Sequence, residues 1–175
     1  PLAPEAMGCS GAGSRMDGDT PTSPMLTATP TGLLAADFTF AQNREPLGTL
    51  KQAKIREKAQ IELDGTWYTF SNQLIGSSFL LEDESRLLAT AKKRRFRRAF
   101  DLSVGTRDLA LEVGGTFIKG GRYSLLEDGR QIGELVKKPL VRSATARLPE
   151  DLPLSVRAGI FRIALMMWRR ARSGD

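Results

Sequence analysis

The sequence predicts a mainly β fold: an antiparallel barrel or strongly curved sheet of ten to twelve strands, with one hydrophobic C-terminal helix packed in or against it. Two observations lead there. Short alternating or β-branched runs recur about every ten residues, separated by Gly and Asp turn signals, and no helix-length pattern intervenes before residue 150. The one clear helical pattern comes last, over residues 151–172.

The strands read in order. Phe38-Thr39-Phe40 alternates. Residues 59–63 alternate, and Asp64-Gly65 then turns the chain into residues 66–70, the strongest short hairpin signal in the sequence. Further strand signals lie at 79–82, 87–91, 100–104, 109–113, 117–126, 132–136 and 144–148. Between them stand Gly76, Gly105-Thr106, Gly114-Gly115 and Asp128-Gly129. Core packing is the expectation for Trp67, Tyr68 and Phe70.

A repeat runs through these strands. Leu80-Leu81-Glu82-Asp83 continues through Arg86 and Leu88-Ala89 to Lys92-Lys93, and Leu125-Leu126-Glu127-Asp128 through Arg130 and Ile132-Gly133 to Lys137-Lys138. A weaker copy starts at Phe40-Ala41-Gln42-Asn43 and reaches Leu47-Gly48 and Lys51. The spacing also suits propeller blades, but three copies and a terminal helix fit three similar hairpins of one barrel better. Duplication and convergence of hairpin turn chemistry explain it equally well.

The helix is expected at about 152–171, with Asp151 as N-cap and Pro153 in the first turn. Its apolar side chains cover a wide arc, with Arg162, Arg169 and Arg170 opposite. Two arginines inside a short apolar run cost about 2.5–3.5 kcal/mol each at a bilayer centre, and seven Leu, Ile, Phe and Val recover only about 2–4 in total, so a membrane span is not expected. A helix filling the barrel leads; a membrane-surface amphipathic helix is the alternative.

Residues 1–32 read as a disordered tail, and residues 33–172 as a single domain. The tail holds five of nine prolines, no aromatic residue and a net charge of −2, so the basic surplus of about +8 belongs to the domain. The tail shows no signal-peptide pattern, and the chain opens on Pro1, so a truncated sequence or an upstream start is expected, with Met7, Met16 and Met25 as alternative true starts.

Composition limits the chemistry. The chain has 175 residues, 41% apolar and 26% charged, with a net charge of +6. It has no histidine, which removes His-based metal sites and Ser-His-Asp or Cys-His catalysis. Cys9 is the only cysteine, so no intrachain disulfide forms. The expectation is a protein that is not an enzyme, with no cofactor and no metal, cytoplasmic or peripheral at a membrane.

The most distinctive local feature is Lys92-Lys93-Arg94-Arg95-Phe96-Arg97-Arg98. As a strand it would carry charge on both faces, so it belongs at a barrel rim or hairpin end, with Phe96 inward. The candidate anion- or lipid-binding residues are Lys92, Lys93, Arg94, Arg95, Arg97 and Arg98. Lys137-Lys138, Arg142, Arg147 and the helix arginines could extend the patch. Each cation near an anionic bilayer contributes about 1 kcal/mol. The other readings are a solvated edge that discourages strand pairing, an acidic protein partner, and nucleic acid. The last is weakened because only Phe96 interleaves with the cations.

The strand order, the Leu-Leu-Glu-Asp hairpins and the terminal segment from Leu152-Pro153-Leu154 to Trp168-Arg169-Arg170 resemble the tubby C-terminal-like superfamily, which includes tubby domains, phospholipid scramblases and LURP-one-related proteins. The resemblance covers about residues 33–172. It implies a twelve-stranded barrel around a central hydrophobic helix and a leaning toward anionic membrane lipid. It carries over no specific residue: there is no scramblase-type cysteine-rich stretch, acidic calcium segment or single alignable tubby-type Lys/Arg pair. Small barrels of the pleckstrin-homology type, which also end in one helix, are the competing fold.

Overall fold

The computed structural model describes residues 24–31, 37–52, 58–72, 78–95, 99–114, 121–137 and 143–173. Twelve antiparallel strands close into one barrel. They are β1 (Met25–Pro30), β2 (Phe38–Gln42), β3 (Glu45–Gln52), β4 (Ala59–Leu63), β5 (Thr66–Asn72), β6 (Ser78–Glu82), β7 (Leu87–Lys93), β8 (Ala99–Val104), β9 (Arg107–Val113), β10 (Arg122–Glu127), β11 (Arg130–Lys137) and β12 (Ala144–Arg147). Each strand pairs with its neighbours in sequence, and β1 pairs with β12 to complete the ring. A single helix, α1 (Leu154–Ser173), follows.

The helix fills the barrel. Every residue from Ser155 to Trp168 is buried. Its contacts point all round the wall: Phe161 meets Phe40 of β2, Arg162 lies over Phe70 of β5, and Trp168 meets Tyr123 of β10. At 1.5 Å per residue the buried stretch is about 21 Å long, close to the height of strands of about six residues. The inward positions of the strands supply the other half of the core, as in Ala59, Ile61 and Leu63 of β4 against exposed Gln60.

Chain direction fixes two ends. At the entry end the helix begins, and the turns of β2–β3, β4–β5, β6–β7, β8–β9 and β10–β11 cluster there. Arg107, the first residue of β9, bonds Asp151 at 2.8 Å, and Arg157 reaches Gln42, the last residue of β2, at 3.4 Å. At the exit end the helix emerges: Arg169 donates to Gln52, the last residue of β3, at 3.3 Å.

The repeat has a structural counterpart. Among the described residues, register shifts occur in β2–β3, β6–β7 and β10–β11, hairpins spaced four strands apart around the ring. In each, one residue is bulged, Leu47, Leu88 or Ile132, and a small residue follows, Gly48, Ala89 or Gly133. That small residue faces a buried bulky partner, Phe40, Leu81 or Leu125. Bulges bend and twist a sheet, which helps it close. A methyl at Gly48 would overlap the Glu62 carbonyl oxygen of β4, so the apolar-small pair marks close strand approach. The middle copy aligns one residue later than the sequence reading, because Leu81, not Leu80, matches Leu125. Its turn differs: the Asp83 carboxylate accepts from the Ser85 and Arg86 amides at 2.9 and 2.8 Å, whereas Asn43-Arg44 and Asp128-Gly129 turn through positive φ.

Several expectations need correction. Residues 25–30, placed in the tail, form β1, because Leu26 and Ala28 alternate with threonines and bury at 1% and 0% exposure. Residues 1–23 lie outside the described residues. The single strand expected over 117–126 is described only as β10, from Arg122. The helix starts at Leu154, and the Asp151 carboxylate accepts from Arg107 instead of serving as N-cap. Arg162 does not lie on an exposed polar face: it is 2% exposed, with its guanidinium 5.6 Å from the Phe70 ring centre. The all-round burial also removes the membrane-surface helix. Trp67 points outward beneath the Lys51 ammonium, because Phe70 and Tyr68 take the inner positions of β5.

Candidate anion-binding end of the barrel

The basic run sits where β7 reaches the exit end. Lys92 and Lys93 are the last residues of β7 and both are exposed. The Arg94 amide donates to the Ala99 carbonyl at 2.9 Å, which ties the start of the β7–β8 connection to the start of β8. Arg95 is exposed; Phe96, Arg97 and Arg98 lie outside the described residues.

Arg94 differs from its neighbours. Its guanidinium bonds Asp101 of β8 at 2.6 Å and also Glu112 of β9. The hydrogen bond to Asp101 leads the causes that raise its pKa, so it stays charged, but two carboxylates already surround it. Of the six residues singled out from sequence, Arg94 therefore ties the β7–β8 connection to β8 and β9, and Lys92, Lys93 and Arg95 present exposed charge.

Other strand ends add cations to the same end. Lys51 and Lys58 flank the β3–β4 connection, and Arg122 opens β10; all three are exposed. Lys137 closes β11, with its ammonium 5.9 Å from the Trp168 ring centre. Arg169 and Arg170 emerge with the helix, whose C-terminal carbonyl end favours cations. The bulged hairpins set part of this array. Gln52, Lys93 and Lys137 each stand four residues beyond the equivalent small residue, so they arrive at the mouth at matching positions four strands apart. Arg147 goes the other way: it ends β12 at the entry end, and Lys138 and Arg142 lie outside the described residues.

The entry end carries the opposite balance. Asp64, Glu84, Asp128, Glu150 and Asp151 stand in or beside its turns and are exposed, as are Arg44, Arg86, Arg130 and Arg147, which offset part of that negative charge. Arg107 is held there by Glu127, at 2.7 and 2.8 Å, and by Asp151. The hydrogen bond from Arg107 keeps the Glu127 carboxyl below the usual range. On the wall below the basic run, a concavity of about 400 Å³ is lined by Asp101, Ser103, Asp108, Ala110, Glu112 and Leu126 among others.

Sequence reasoning missed Lys51, Lys58 and Arg122 because none of them lies in an unbroken run of cations: Lys51 and Lys58 bound a stretch that mixes Lys54 and Arg56 with Gln52, Ala53, Ile55 and Glu57. A signal existed: in a meander, alternate connections share an end, so listing charge by strand end would have collected them. The exposed large apolar residues among those described are elsewhere, Met25 and Leu87 toward the entry end and Trp67 on the wall. Among the described residues no group of three His, Cys, Asp or Glu is placed to hold a metal ion, and no helix is long and apolar enough to cross a membrane.

What the geometry defines is a closed twelve-stranded barrel around a C-terminal helix, with charge separated between its ends. A solved structure shares this fold: the X-ray structure of the Arabidopsis thaliana protein AT5G01750 superposes with a TM-score of 0.56 at 16% identity, covering 82% of this chain and 90% of that one. At this identity the likeness concerns the fold alone. No family model matches the chain, and no curated protein matches it.

Proposed function

We propose that the protein is a non-enzymatic binding module for anionic phospholipid headgroups at a membrane surface, built on a barrel of the tubby C-terminal-like kind. The observation that carries the reading is the gathering of Lys92, Lys93, Arg95, Lys51, Lys137 and Arg169 at the exit end. Five of these six cations reaching an anionic surface contribute about 5 kcal/mol, equivalent to a dissociation constant in the millimolar range or slightly below. Binding of that strength is reversible and weakens with salt. The superfamily assignment is supported by twelve strands around a C-terminal helix and by the fold likeness to the Arabidopsis protein.

A second reading, an acidic protein partner, is favoured by one observation: exposed Leu87 and Met25 stand away from the basic end, where a protein contact could use them. Nucleic acid has less support, since the basic residues ring a barrel mouth rather than line a groove.

Vesicle co-sedimentation tests the proposal. The protein is expected to bind phosphatidylserine-containing vesicles and not phosphatidylcholine vesicles, less at physiological than at low salt. Binding is expected to fall in a variant with Lys92→Ala, Lys93→Ala and Arg95→Ala combined. No sedimentation with anionic vesicles at low salt overturns the reading and directs the search to acidic protein partners.

A further inference from the structure

We infer that the protein meets an anionic bilayer end-on, exit end down, with the barrel axis along the membrane normal and the entry end facing away. This rests on the lipid reading above. An anionic surface is attracted by cations and repelled by carboxylates, so the charge map selects the approach. End-on, the bilayer faces the approach to β4, the outer ends of β7 and β11 and the end of the helix, where Lys58, Lys93, Lys137 and Arg169 stand on different sides of the mouth, while the Lys51 ammonium lies over Trp67 and Arg122 lies 3.9 Å from Glu134.

Side-on approaches are poorer. Over the wall of β8 and β9, beside the basic run, three carboxylates, Asp101, Asp108 and Glu112, stand against the single guanidinium of Arg94, which pairs with Asp101 and Glu112 and leaves a negative surplus. Any side-on pose also brings part of the entry rim to the surface, with Asp64 on one side of the ring and Asp128 on the other. At about 3.3 Å per residue the strands separate the two rims by roughly 15–20 Å, about two screening lengths at physiological salt. Only the end-on pose keeps the acidic rim outside that range.

Four single-cysteine proteins test the pose, each full-length and carrying Cys9→Ser. Ser78→Cys and Ser143→Cys label the exit end at β6 and β12, which face each other across the ring. Thr66→Cys and Gln131→Cys label the entry end at β5 and β11, also opposite. A fluorophore at each is exposed to phosphatidylserine vesicles containing headgroup-nitroxide lipid. End-on docking gives several-fold stronger quenching at 78 and 143 than at 66 and 131, similar across each opposed pair. Quenching of 66 and 78 without 131 and 143, or the reverse, shows side-on docking and overturns the inference while leaving lipid binding intact. Strong quenching at both entry labels also overturns it. Absence of vesicle binding in all four, and in the unlabelled Cys9→Ser protein, overturns the lipid reading itself, and the inference with it.

Discussion

Gly121, the residue before β10, lies against the Nε1–Cδ1 edge of the Trp168 indole near the end of the helix, so close that a methyl group there would overlap Nε1. Trp168 is 5% exposed and its ring also meets Tyr123, 5.4 Å between centres. The helix and the wall are thus fitted at the exit end through a missing side chain. Gly121→Ala is expected to cost about 1–3 kcal/mol through overpacking. Urea unfolding followed by tryptophan fluorescence measures it. Adding Trp168→Phe, which removes the colliding edge, is expected to make the double variant less destabilised than the sum of the singles.

Arg44 is a turn residue in the wrong chemistry. Its φ of 79° matches those of Gly65 at 78° and Gly129 at 76°, in the same position of two of the three other two-residue turns. The left-handed region costs a side-chain-bearing residue about 1–2 kcal/mol, and glycine gives back part of that through its freer unfolded state. Arg44→Gly is therefore expected to stabilise by about 0.3–1 kcal/mol, seen as a higher urea midpoint at unchanged slope.

Gly159 goes the opposite way from Gly121. It stands inside the helix, where alanine is favoured by about 1 kcal/mol. A methyl there would meet only the Leu81 Cδ2 atom at 3.0 Å, and both residues border a small apolar cavity of about 20 Å³ into which that methyl group can shift. Gly159→Ala is expected to raise the thermal midpoint by a few degrees, with a fall of similar size counting against the packing described.

The Arg107 pair predicts a pH dependence. Glu127 is held below its ordinary pKa of about 4.5 by Arg107, while an unfolded chain restores the ordinary value. The pair's contribution is fully present above that value and is lost as pH falls through the lower folded one. The stability difference between wild type and Arg107→Gln should be constant from pH 7 to about 5 and shrink below 4.5. Denaturant titrations at stepped pH measure it.

The fold was legible where local chemistry and global fold agreed. Asp64-Gly65 named its hairpin, and the apolar run of the last helix named the filling of a barrel. What stayed hidden had competing local signals. Leu26 and Ala28 sit between Pro24 and Pro30, so a half-buried strand read as tail. Arg162 reads as a polar-face residue at helical spacing, yet the barrel encloses all sides of the helix and places its guanidinium over Phe70. The basic run was visible as a run, but Lys51, Lys58 and Arg122 join it only through the ring of strands, which no local pattern encodes. Arg94, in the middle of that run, is set apart only by Asp101 and Glu112 on the next two strands.

The placement of the helix has a consequence for the order in which the molecule is made. A ribosome delivers the twelve strands first and the helix last. Until residues 155–168 leave the exit tunnel, the inner faces of all twelve strands lack the surface they pack against. The wall must wait, partly assembled, for its own centre. A chain stopped short of Leu154 would keep every hairpin and turn signal and still have nothing to close upon.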